Sequence, residues 1–169
     1  MKLACELQPN DTETHQALVA CYDAQGDKQG AIGQLLQSLQ LARRDIKLYE
    51  DLGRRLSELG RAQETERAYT SIVEMLTSES ESHALLAEIR QRQNRWAEAI
   101  VEWEQVARIR ALEPAGLLGL AAAQIHEKQW ERAAETVGKL RTRTWPSRFG
   151  DVSHQIRQLE QQIDQGRKK

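Results

Sequence analysis

Strand-forming material is scarce in this chain of 169 residues: aromatic residues make up 5%, with one Phe, three Tyr and four Trp, and β-branched residues are few. Leu, Ala, Glu, Gln and Arg dominate instead, a mixture that favours helix and leaves little from which to build a sheet. No apolar run approaches the roughly 18–20 residues needed to cross a membrane as a helix. The opening MKLACELQPNDTE is broken by polar residues too soon for a secretory signal, so the compartment expected by default is cytoplasmic. Cys5 and Cys21 are too few for a disulfide framework and too far apart for a zinc pair; they read as small buried residues.

Chemistry-bearing motifs are equally sparse. No P-loop, G-x-S-x-G or dinucleotide glycine pattern occurs. His15, His83, His126 and His154 stand far apart, without an H-x3-H pair. The carboxylate pairs Glu64/Glu66 and Glu102/Glu104 are expected on surfaces with no cleft. These absences argue against an enzyme and call for no cofactor or metal. Net charge is −1, unevenly spread: residues 1–138 hold 16 Lys and Arg against 22 Asp and Glu, whereas residues 139–169 hold 8 against 3. The basic end reads as a solvated final helix with a ragged terminus; its alternative use is an acidic partner or nucleic acid.

What the chain does have is a period. NRWAEAIVEWEQV (94–106) puts Trp96, Ala99, Ile100, Trp103 and Val106 on one helical face. A step of 34 brings Trp130 under Trp96 and Ala133 under Ala99; stepping back brings Gly60 under Asn94 and Tyr69 under Trp103. Written as units 12–45, 46–79, 80–113 and 114–147, the chain aligns four columns. These are Leu18/Leu52/Leu86/Leu120, Val19/Gly53/Ala87/Ala121, Ala31/Thr65/Ala99/Ala133 and Leu35/Tyr69/Trp103/Val137. A fixed period of this length marks stacked supersecondary units, none of which can bury its apolar face alone.

Each unit predicts two helices. The first helices are expected from Asn10 or Asp11 to about Ala24, from Asp45 to about Leu59, over about 79–93 and over about 114–127. The second helices are expected over about 28–43, to about Leu76, over about 96–112 and over about 130–143. Glu13 is available for a capping box on Asn10, and Ser78 with Glu81 forms another. Residues 1–11 read as the remnant of an earlier unit's second helix, ended by Pro9. Residues 148–169 are not a repeat. Val152, Ile156, Leu159 and Ile163 form the stripe of an amphipathic capping helix, and WPSRF (145–149) reads as its hydrophobic latch, so that replacing Trp145 and Phe149 should lower stability.

The columns, with LYEDLGRRL (48–56) and ACELQPND (4–11), resemble the tetratricopeptide repeat family over about residues 4–147. Tyr49, Leu52, Gly53 and Leu56 take the four positions of that family's first-helix motif; Arg90 and Gln124 depart from it, standing where an aromatic is usual. The resemblance implies an all-α, right-handed α-solenoid of antiparallel helix pairs, one continuous domain that acts as a non-catalytic protein-binding scaffold. It also implies a concave peptide groove lined by first helices. Its positions carry Gln16, Asp23, Lys47, Glu50, Arg54, Glu58, Glu88, Gln91 and Arg92, with apolar Leu118, Ala122 and Ile125 in the last unit. Those last three are expected to lie under the capping helix. Chaperone-binding relatives clamp a carboxylate with Lys and Asn at two groove positions; Gln16/Ala20, Glu50/Arg54 and Ala84/Glu88 stand there instead, so no such clamp is expected. The alternative reading is an RNA-binding repeat module using Arg141, Arg143, Arg148 and Arg157. Leu3 and Leu7 would leave an apolar edge, consistent with a chain cut from a longer repeat protein or with homo-association.

Overall fold

Every regular element of more than one turn among the described residues is an α-helix, as the helix-forming composition requires. The computed structural model describes residues 12–168, with side chains from Thr14 onward. The expected 1–11 remnant, the Asn10–Glu13 cap, Cys5 and the Leu3/Leu7 edge lie outside the described residues. The chain divides into two compact units, residues 1–76 and residues 77–169.

In the first unit α1 (Thr12–Ala24), α2 (Lys28–Leu41), α3 (Ile46–Glu58) and α4 (Ala62–Met75) follow one another, each packed on the next. Asp27 caps α2 by accepting from the Gly30 amide at 2.8 Å, and Asp45 caps α3 by accepting from the Lys47 amide at 3.0 Å. Val19, Ala31, Ile32, Leu35, Leu52 and Leu56 centre the core. His15 of α1 is buried and hydrogen-bonded to Gln34 of α2.

The second unit holds α5 (Ser80–Arg92), α6 (Trp96–Ile109), α7 (Ala115–His126), α8 (Trp130–Arg141), a 3-10 turn (Ser147–Phe149) and α9 (Val152–Arg167). Helices α5 to α8 again pack in consecutive order, and α9 lies on α8 and α7. Asp151 caps α9 by accepting from the His154 amide at 2.8 Å. Val152, Ile156, Leu159 and Ile163 are all buried, in one cluster with Val137 and Leu140. The capping helix therefore covers the end of this unit, as the terminal element of a repeat stack must.

All sixteen residues of the four aligned columns are buried. At Gly53 of these columns, and at Gly119 two residues before Ala121, a ring presses on the backbone. A Cβ on Gly53 would stand 2.3 Å from Tyr69, and one on Gly119 2.4 Å from Trp103. A fifth column lies in the turns. Gly26, Gly60, Asn94 and Lys128 all have positive φ, between 56° and 71°. The next residue's amide then bonds back five positions: Asp27 to Tyr22, Arg61 to Leu56, Arg95 to Arg90 and Gln129 to Gln124, at 2.8–3.0 Å. This is the helix-ending motif that glycine adopts most easily and asparagine next. Lysine has no such ease. Lys128→Gly is expected to stabilise the second unit by about 0.5–1 kcal/mol, because the left-handed conformation costs an L-residue about 1–2 kcal/mol and the loss of glycine's chain freedom offsets part of the gain. The midpoint of urea unfolding, followed by tryptophan emission, measures it; an unchanged or lowered midpoint contradicts it.

Two expectations need correction. The second helices end earlier than the pattern suggested, at Leu41, Ile109 and Arg141. Leu112 continues the apolar pattern in sequence but sits in a turn and is the most exposed of the large hydrophobic residues described, so apolar character alone overran the helix. The Ser78–Glu81 capping box does not form: α5 starts at Ser80, and Glu79 precedes it without a side-chain cap. Ser80 and Ser82 are buried at that start, and the Ser82 hydroxyl donates to the Glu79 carbonyl at 2.7 Å.

Candidate functional site

On the first unit, α1 and α3 are tied by charge. Arg55 reaches across to Asp23 with both terminal nitrogens, one at 2.8 Å, while its Nε donates to Asp51 at 3.0 Å. Arg54 bonds Asp51 and, at 2.7 Å, Glu58, which also faces Lys28 at 3.8 Å. Three of the expected groove residues, Asp23, Arg54 and Glu58, thus belong to one network. Lys47 and Gln16 are exposed and Glu50 is half-buried. The Arg55 hydrogen bonds hold Asp23 below the usual carboxylate range, and Asp23 in turn raises Arg55.

The sign of the resulting pH dependence follows. Unfolded Asp titrates near pH ~4, and the folded carboxyl lies lower. Its contribution is present above that value and is lost as pH falls through the folded pKa. Acid titration of amide exchange in α1 and α3 should show this loss, and Arg55→Ala should flatten it. An Arg55→Ala profile identical to the parent's would contradict the assignment. Because Asp23 is solvent-exposed, water screens the pair and the effect is small.

On the second unit, Glu88 and Arg92 are exposed on α5 and Gln91 is half-buried. Between them lies Arg90, 3% exposed, with its Nε 3.4 Å from Glu98 and Nη1 donating to Gln93 at 3.2 Å. Gln124, the matching residue of α7, is 2% exposed and accepts from the Thr136 hydroxyl at 2.8 Å. The two departures from the aromatic column are therefore satisfied buried polar groups. His83 bonds Glu102 at 2.6 Å and the Thr77 carbonyl at 3.0 Å. Trp96 stacks on His126, rings parallel and 3.8 Å apart. Leu118, Ala122 and Ile125 pack against the cluster that α9 completes, so α9 covers the apolar end of the expected groove. Each unit holds its own first-helix set: Gln16, Asp23, Lys47, Glu50, Arg54 and Glu58 on α1 and α3, and Glu88, Gln91 and Arg92 on α5.

Two depressions were missed by sequence reasoning. One, of about 430 Å³, lies between α6 and α8 above α7. The other, of about 420 Å³, lies between the end of α8, Trp145 and α9. Glu104, expected on a featureless surface, lines the first and pairs with Arg132 at 2.9 Å. The available signal was the clustering of Arg108, Lys139, Arg141 and Arg143 near the ends of two second helices; what it lacked was the rotation that sets those ends side by side. Trp145 donates its indole N–H to the Leu140 carbonyl at 2.8 Å and, with Phe149, packs on the α9 cluster. Among the described residues no three of His, Cys, Asp or Glu gather as a metal site, and no helix is long and apolar enough to cross a membrane.

No family model matches the chain, and no curated protein matches it. Solved structures do. A tetratricopeptide repeat protein from Parabacteroides merdae is 15% identical with a TM-score of 0.64, over 92% of this chain and 60% of that one. MamA is 19% identical with a TM-score of 0.56, over 82% of this chain and 81% of its own. YrrB, described as a tetratricopeptide repeat protein with an unusual peptide-binding site, is 15% identical with a TM-score of 0.53, over 80% and 70% of the two chains. At these identities the likeness is one of fold: helices in consecutive pairs, as in tetratricopeptide repeat structures.

Proposed function

We propose, from the tetratricopeptide repeat fold as premise, that this chain is a non-catalytic scaffold that binds a peptide or protein segment on the faces of its first helices. The observation that carries the reading is the α1–α3 surface. There the Asp23–Arg55–Asp51–Arg54–Glu58 network holds two neighbouring helices in place and leaves Gln16 and Lys47 exposed beside it. A surface ordered in advance loses less side-chain freedom when a partner arrives. Glu88, Gln91 and Arg92 on α5 form the corresponding set of the second unit. The absence of a carboxylate clamp argues for a partner met along its length rather than by its terminus.

The test is selection of peptides of about twelve residues against the purified chain, followed by amide chemical-shift mapping. The expected result is perturbation at Gln16, Lys47 and Glu50, with binding weakened by Lys47→Glu. Selected peptides that leave α1 and α3 unperturbed would overturn the reading. Homo-association through Leu3 and Leu7 belongs to the same proposal and is tested by light scattering, where a monomer at all concentrations removes it.

A further inference from the structure

On the second unit, a further group of charges lies on the second helices and α9. The two depressions described above share Arg143 in their walls, so the hollow between α6 and α8 continues around that side chain to the one beside Trp145. The carboxylates on these walls are mostly engaged. Glu104 is held by Arg132 at 2.9 Å, Glu160 lies 3.6 Å from Arg141, and Asp151 caps α9. Of the lining carboxylates, Asp151 makes no ion pair but is spent on the His154 amide, and Glu135 has neither an ion pair nor a cap to make.

The cations are the reverse. Lys139 and Arg157 are exposed and unpaired, Arg108 bonds only Gln105, and Arg143 bonds the Ala111 carbonyl and faces the Trp145 ring at 5.8 Å. Four positive side chains without a carboxylate thus line one continuous surface. Between the second helices Ala107, Ala111, Leu117 and Leu120 supply apolar contact beside the polar Gln124 and Thr136.

We propose that this surface docks an acidic peptide segment bearing one bulky aliphatic side chain. The carboxylates would meet Arg108, Lys139, Arg143 and Arg157, and the aliphatic group would enter the hollow above α7. Guanidinium groups without carboxylate partners suit this ligand because each can take a carboxylate through two parallel N–H bonds. A hollow of about 430 Å³ has room for side chains and not for a folded surface. Nucleic acid fits less well: base recognition needs aromatic faces to stack on, and the aromatic ring on these walls, Trp145, has its N–H bound to Leu140 and a guanidinium over its face.

The experiment uses the full chain and a fluorescent peptide of alternating Glu and Asp with one central Leu, read by anisotropy. Saturable binding at low salt is expected, weakened at least about tenfold in about 0.5 M NaCl, since exposed charges are screened within a few ångströms there. Lys139→Glu and Arg157→Glu should each weaken binding about fivefold or more, and Glu135→Gln should strengthen it about twofold. Neither Lys139 nor Arg157 holds the fold together, so the melting curve checks that these variants remain folded; Arg67→Glu in the first unit controls for net charge. No saturable binding at low salt overturns the proposal, as does binding indifferent to Lys139→Glu and Arg157→Glu. An oligouridylate of equal charge that binds more tightly than the peptide and responds to the same variants also overturns it, in favour of nucleic acid. These substitutions lie on α8 and α9, so failure here is distinguishable from failure of the α1–α3 reading.

Discussion

Ile156→Asp is expected to destabilise the second unit by about 4 kcal/mol or more. Ile156 lies in the middle of the α9 stripe, buried with Val152, Leu159 and Ile163 against Leu118, Ala122, Ile125 and Val137. Removing a buried Ile side chain costs about 2–5 kcal/mol, and a carboxylate left there without a partner adds a further desolvation penalty. Ile156→Ala should show the first part alone. Gln158→Asp, exposed on the same helix, should change stability by less than about 0.5 kcal/mol. All four tryptophans, Trp96, Trp103, Trp130 and Trp145, lie within residues 77–169, so their emission during urea unfolding reports this unit. If Ile156→Asp keeps its midpoint, α9 is not the cap the packing makes it.

A second large effect is expected where backbone and ring meet. Gly119→Val should cost about 3 kcal/mol, because even its Cβ would stand 2.4 Å from Trp103, whose ring is itself buried. Overpacking of this kind costs about 1–3 kcal/mol and sometimes more where the neighbours cannot yield. The direct check is a double-mutant cycle. Trp103→Leu opens a cavity and destabilises alone, whereas Gly119→Val with Trp103→Leu should be less destabilised than the two costs summed. Strict additivity would show that the ring is not what demands glycine. Gly116 is tighter in kind, since a Cβ there meets the Ala107 backbone at 2.5 Å, and no side-chain change can relieve it.

The fold was legible because repetition multiplies weak signals. One alternation of Ala and Trp says little; four columns at a spacing of 34, every member buried, specify which faces pack. The α9 stripe was equally readable, as was the coverage of Leu118, Ala122 and Ile125 that it implies. Helix ends were less so. Leu112 looked like core and is solvent-exposed, and Ser78 looked like a cap, whereas α5 starts at Ser80, itself buried. The turn column was readable at Gly26, Gly60 and Asn94 but hidden at Lys128, because lysine carries no preference for the conformation it holds there.

Surface chemistry depended on the third dimension. The candidate residues on α1, α3 and α5 follow from register, but register says nothing of which charges are already engaged. Asp23 finds Arg55 thirty-two positions away, and Glu104 finds Arg132 twenty-eight away. The sequence by itself determined the helix pairs, the small-against-large columns and the capping stripe, since each arises from local periodicity repeated at a constant interval. The tertiary structure decided which carboxylates are neutralised, which cations of α6, α8 and α9 remain unpaired, and where hollows open between second helices. Those outcomes turn on how neighbouring helix pairs of the second unit are set against one another, which the columns do not encode: Arg132 meets Glu104 twenty-eight positions away while Lys139 on the same helix meets no carboxylate.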